Sequence, residues 1–81
     1  MSMIVDIFKI ADDGDWAVFS YASYNQDKPG AVLVDIRSKS LERIVRSGAG
    51  DDEDHYQAAV RKISTALRNE EALPEKLTFA S

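Results

Sequence analysis

The sequence predicts an α+β fold. A four-stranded antiparallel meander sheet is followed by one amphipathic helix packed on one face and a short C-terminal extended segment (ββββα). Three observations carry this reading. Stretches rich in β-branched and aromatic residues, parted by turn residues, fill the chain up to Arg46. One long stretch, Asp54 to Asn69, has helical spacing instead. That stretch follows the strands and does not alternate with them, which favours an antiparallel sheet.

Met3 to Ile10 (MIVDIFKI) reads as the first strand. Asp12-Asp13-Gly14-Asp15 supplies a turn, with Gly14 free to take positive φ. Trp16 to Tyr24 (WAVFSYASY) is the second strand. Asn25 to Gly30 is a polar loop whose Pro29-Gly30 pair suits a type II turn. Ala31 to Arg37 is the third strand, with Val32, Val34 and Ile36 on one face. Leu41 to Arg46 fits either a strand or a short helix behind Ser40. The short preceding turn favours a fourth strand. Ser47 to Gly50 reads as a flexible link.

In the helix, Tyr56, Ala59, Val60, Ile63, Ala66 and Leu67 make an apolar arc. Asp54 is placed as the N-cap, with Gln57 completing a capping box. Asp51, Asp52 and Glu53 sit where negative charge suits the helix dipole. Asn69 and Pro74 mark the stop, with Asn69 expected in a left-handed conformation. Leu77 to Ser81 is expected to dock beside the sheet.

The chain of 81 residues is read as one domain, 1–81. It has no cysteine, so disulfides and thiolate zinc sites are excluded. This fits a reducing, cytoplasmic location. No apolar run is long enough to span a bilayer, and Met1-Ser2-Met3 does not open a signal peptide. The net charge of −4 disfavours nucleic acid and anionic membranes and tolerates a basic partner.

No motif carries recognisable chemistry. Asp51-Asp52-Glu53-Asp54 is a docking surface or a solvated helix entry; consecutive acids point apart and make a poor cation site. Asp12 to Asp15 lacks the ligand spacing of a calcium loop. Gly48-Ala49-Gly50 precedes a helix, but acids follow where a phosphate loop has Lys and Ser or Thr. The serines lack a nucleophile elbow. His55 is the single histidine. It reads as a boundary residue, with a small ligand-binding or catalytic site beside it as a minor alternative.

Arg37, Lys39, Arg43 and Arg46 make a basic strip next to the aromatic second strand. Such an arrangement stacks single-stranded bases in some modules, although no RNA-binding signature is present. The leading expectation is a non-catalytic domain acting by protein contact, with itself as a homodimer or with a basic partner, and needing no cofactor or metal. The candidate contact residues are Trp16, Phe19, Tyr21 and Tyr24 on the second strand and Asp51, Asp52, Glu53 and Asp54 before the helix. Weak nucleic-acid binding through the basic strip is the alternative. Neither of the first two strands has a properly polar face, so a second copy or the C-terminal segment is expected to cover the side the helix leaves open.

Overall fold

A computed structural model describes residues 3–23, 27–69 and 72–81. The elements are β1 (Ile4–Asp12), β2 (Trp16–Ser23), β3 (Gly30–Asp35), β4 (Ser40–Val45), α1 (Asp52–Arg68) and β5 (Lys76–Ala80). All strand pairs are antiparallel, in the order β4-β3-β2-β1-β5. The meander, the helix and the extended segment are thus present, and Leu41 to Val45 is strand. The extended segment is a full fifth strand. It joins β1 at the sheet edge, with Val5 opposite Phe79 and Ile7 opposite Leu77. Tyr24 and part of the following loop lie outside the described residues.

Alternation sorts the side chains into two layers. Val5, Ile7, Ala17, Phe19, Tyr21, Val32 and Val34 point at the helix and are buried. Ala58, Ala59, Ile63 and Leu67 of α1 meet them, and Leu73 closes the lower end. The other face of the sheet carries Ile4, Phe8, Trp16, Val18, Ser20, Ala22, Ala31 and Leu33, with Asp6, Asp35, Glu42, Lys76 and Thr78 among them. Among these, Ile4, Phe8 and Trp16 are about half exposed.

Two bulges adjust this pattern. The β1–β2 register shifts between Lys9 and Ala11, which makes Ile10 the extra residue. Lys9 stays opposite Phe19, on the helix side. There its ammonium group donates to Asp12 Oδ2 and to the Leu73 carbonyl, both at 3.0 Å. One buried stem and two charge-assisted bonds therefore hold the chain between α1 and β5. The second bulge falls between Ala31 and Val32 in the β3–β4 ladder. It leaves Arg43 opposite Val32, also on the helix side.

The turns use their own acids. Asp13 Oδ1 accepts the amides of Asp15 and Trp16, Asp12 Oδ1 accepts that of Gly14, and Gly14 has φ +92°. Asp35 Oδ1 likewise accepts the amides of Arg37 and Ser38. Gly30 differs from the type II turn expected of it. It is the first residue of β3, pairs with Tyr21 and lacks a positive φ. A Cβ there would overlap the phenol ring of Tyr21. Glycine is needed for space, not for backbone conformation.

The helix also starts earlier than Asp54. Its N-cap is Asp51, Asp54 lies exposed in the first turn, and Gln57 Nε2 donates to Glu53 Oε1. No capping box forms. The reason is Asp52, whose side chain turns inward and carries the helix start with it. The stop also differs: Asn69 is right-handed, with its amide bonded to the Thr65 carbonyl.

Two outcomes follow from this packing. Gly30→Ala must displace Tyr21 and is expected to cost about 1–3 kcal/mol, as overpacking does. Urea denaturation checks this through a lower midpoint at unchanged slope. Removing Leu77 to Ser81 strips β5 from β1, so the truncated protein is expected to melt at a lower temperature than the full chain.

Candidate functional site

The sheet and helix meet at a buried carboxylate. Asp52 is 6 % exposed. Its Oδ1 accepts the Tyr21 hydroxyl at 2.7 Å and the Ser47 amide at 2.7 Å. Its Oδ2 accepts from Arg43 Nη1 at 3.1 Å, and Arg46 Nη1 lies 3.7 Å away. Arg43 also donates to Glu53 at 2.7 Å, and its guanidinium stacks 4.5 Å from the Tyr56 ring centre. Tyr56 in turn packs tilted against Tyr21 at 6.0 Å. The Ser47 to Gly50 link is therefore tethered, with Gly48 also donating to the Lys28 carbonyl.

Burial pushes the Asp52 carboxyl upward. The hydrogen bonds from Ser47 and Tyr21 and the Arg43 charge outweigh it, and the group ends below the usual carboxylate value. Burial first, then the bond to Asp52, push the Tyr21 phenol well above its ordinary value. Hydrogen bonds from Arg43 and then Gln57 hold Glu53 low. Each of these groups is stabilised in the protonation state it already has near neutrality. The arrangement thus fits a structural tie, not a general base poised to exchange protons.

The candidate contact residues are divided by this geometry. Phe19 and Tyr21 are completely buried under the helix, and Asp52 is inside the carboxylate cluster. These three are core, not contact surface, because the alternation of β2 and the inward turn of α1 put them there. Trp16 stands on the opposite face, and Asp51, Glu53 and Asp54 remain exposed. Tyr24 lies outside the described residues.

The basic strip is divided as well: Arg43 is largely buried, while Arg37 and Arg46 stay exposed. Arg37 donates to Asp15 at 2.9 Å, and Arg43 and Arg46 lie against Asp52. Lys39 sits in the β3–β4 turn with φ +60°. Arg43 is on the helix side and Trp16 on the other.

His55 is not a boundary residue. It is buried in the helix stripe that runs Asp52, His55, Ala59, Ile63 and Leu67. Nε2 lies 3.3 Å from Asp51 Oδ2, and Nδ1 has no hydrogen-bond partner among the described residues. His55 is among the residues that line a cleft of about 570 Å³ between α1 and the ends of β1, β2 and β5, although Nδ1 itself is sealed from solvent. Continuing the three-and-four spacing backwards from Ala59 would have reached both His55 and Asp52. Their polarity hid them from a pattern built on apolar residues alone.

Among the described residues, no group of three or more His, Cys, Asp or Glu side chains is placed to hold a metal ion. No described helix is long and apolar enough to cross a membrane. Comparison with protein-family models, curated proteins and solved structures finds no match to this chain.

The Asp52 cluster sets a pH dependence. A depressed carboxylate contributes stability above its unfolded value, near 3.8, and loses it as pH falls through the lower folded value. The raised Tyr21 phenol contributes below its unfolded value, near 10.0, and loses it as pH rises above that. Asp52→Asn is expected to flatten the acid limb of a stability-versus-pH curve below about pH 4. Asp52→Ala leaves the Tyr21 hydroxyl, the Ser47 amide and Arg43 without their acceptor. It is expected to cost about 3 kcal/mol at neutral pH, measured by chemical denaturation.

Proposed function

We propose that this chain is a non-catalytic contact domain that self-associates through the open face of its sheet. One observation supports the reading: the face of the sheet that α1 leaves open has an apolar centre with large exposed side chains, rimmed by polar residues such as Asp6, Glu42 and Lys76. The tail is no rival cover, because β5 lies within the sheet beside β1. Ile4, Phe8, Ile10 and Trp16 therefore remain 44 to 62 % exposed. Apolar groups of this size grouped on one face are the usual mark of an interface.

A second copy suits this face better than a basic partner. Part of its floor is made of small side chains: Ser20 lies between Phe8 and Ala31, and Ala22 lies opposite Asp6. A flat floor ringed by larger groups allows a second sheet to approach to about 10 Å. The face holds charges of both signs, with Lys76 3.9 Å from Asp6 and over the Phe8 ring at 5.3 Å. The acidic run Asp51 to Asp54 stands at the start of the helix, in the other layer. Two acidic copies can thus meet sheet to sheet with those charges held apart. An ordinary interface takes about 800 Å² per partner. That is roughly one sixth of the 5064 Å² surface of this chain.

At micromolar concentration, sedimentation or light scattering is expected to return about twice the 9.0 kDa of one chain. A double substitution, Phe8→Glu with Trp16→Glu, is expected to give a folded monomer. A wild-type monomer across that range would remove the proposal.

A further inference from the structure

β5 leaves a backbone edge open to a further strand, independently of the open sheet face. Ser81 donates to the Met3 carbonyl at 3.1 Å, and Lys9 to the Glu75 carbonyl at 2.9 Å. Between these two bonds the β1–β5 register is unbroken. In an antiparallel pair the bonded positions fall at every second residue. Val5 with Phe79 and Ile7 with Leu77 are therefore the bonded pairs. Lys76, Thr78 and Ala80 turn their amides and carbonyls away from β1, and no described element lies beyond β5.

The two edges of the sheet are not alike. β4 is interrupted by the bulge at Ile44 and turns the charged Arg43 inward, beneath the helix. Both devices blunt an edge against further pairing. β5 has neither. Its three outward-bonding residues are exposed, and Leu77 and Phe79 between them are only half-buried.

The sequence of β5, KLTFA, is complementary to itself. Laid antiparallel on a second copy about a two-fold axis at Thr78, it sets Thr78 opposite Thr78, Lys76 opposite Ala80 and Leu77 opposite Phe79. The three open positions become the bonded pairs and exchange about six hydrogen bonds. Leu77 and the second copy's Phe79 form an apolar cross-strand pair on the helix side, and two threonines are a favourable pair at the axis. The two lysines stand four residues apart, about 13 Å along the strands, so no like charges oppose.

The axis passes through the sheet, so both helices stay on the same side. α1 packs across β5, β1 and β2. Helices centred on β1 stand three strand spacings apart, about 14 Å, which exceeds the roughly 10 Å diameter of a helix. They run antiparallel, which holds the two Asp51 to Asp54 runs at opposite ends.

We propose that β5 pairs with the β5 of a second copy, antiparallel and centred on Thr78, and joins two five-stranded sheets into one. So short an edge makes a weak contact, populated above micromolar concentration. The pairing leaves both open faces uncovered, so it is compatible with a sheet-to-sheet contact there.

The test is pulse-labelled amide hydrogen exchange on the full wild-type chain, read residue by residue at about 20 µM and at about 1 mM. The amides of Lys76, Thr78 and Ala80 are expected to exchange about fourfold more slowly at the higher concentration, as a Kd of about 100 µM implies. A copy stacked on the open face leaves the β5 backbone edge in water, so these amides report the edge contact and not the face contact. Thr78→Pro removes an outward amide and no bond to β1. It is expected to abolish the slowing at Lys76 and Ala80 while the Leu77 and Phe79 amides stay protected. Thr78→Lys, which sets two like charges opposite each other at the axis, is expected to do the same and serves if the proline variant does not fold. Exchange at these three amides that is independent of concentration, or slowing that survives in a folded Thr78 variant, would overturn the proposal.

Discussion

The carboxylate of Asp52 is the constraint on which the rest of the structure depends. It joins parts that are distant in sequence: the hydroxyl of β2, the amide of the link after β4, and the guanidinium of Arg43 on β4. A carboxylate buried this fully is tolerated only because both oxygens are occupied. That requirement fixes the rotation of α1 about its axis. With Asp52 facing inward, His55, Ala59, Ile63 and Leu67 follow at three- and four-residue steps. The apolar stripe and the polar tie select the same orientation. The tie also explains why Tyr21 needs Gly30 opposite it: the ring must lie flat across β3 for its hydroxyl to reach Asp52.

The two faces of the sheet are unequal in what they ask of the chain. The helix side resolves its charges internally. Lys9 and Arg43 both enter that layer beside the β-bulges, and each finds an acid and a further acceptor or ring. The open side mixes large apolar groups with charged ones such as Asp6, Glu42 and Lys76, and no described element covers it. A single 17-residue helix has one stripe to bury and cannot serve both sides. The exposed Ile4, Phe8 and Trp16 on that face are surface that water does not favour.

Much of the architecture was legible in the sequence. Alternation in Ala17, Phe19, Tyr21 and in Val32, Val34 marked the buried face, and the spacing of Ala59, Ile63 and Leu67 marked the helix. What was not legible depended on pairing across long distances. The inward turn of Asp52 looked like one acid among four, because nothing local shows that Tyr21 and Arg43 will be waiting for it. For the same reason the helix start was placed at Asp54, where local capping preference pointed. Aromatic content made Phe19 and Tyr21 look like contact residues, although strand alternation already assigned them to one face with Ala17. Gly30 was read for its backbone freedom, whereas the neighbouring ring decides it.

The β1–β5 pairing has a consequence for the order of assembly. Met3 and Ser81 exchange hydrogen bonds across 78 residues, and Ile4 lies opposite Ala80. Hairpins β1–β2, β2–β3 and β3–β4 close locally and quickly. The β1 edge, by contrast, must wait until β5, more than 60 residues later in the sequence, has been synthesised. Until then it offers unpaired amides and carbonyls flanked by Ile4 and Phe8 to any other strand nearby. High contact order at this one seam makes β5 docking the expected slow step of folding, and the ribosome-bound chain the species most exposed to mispairing.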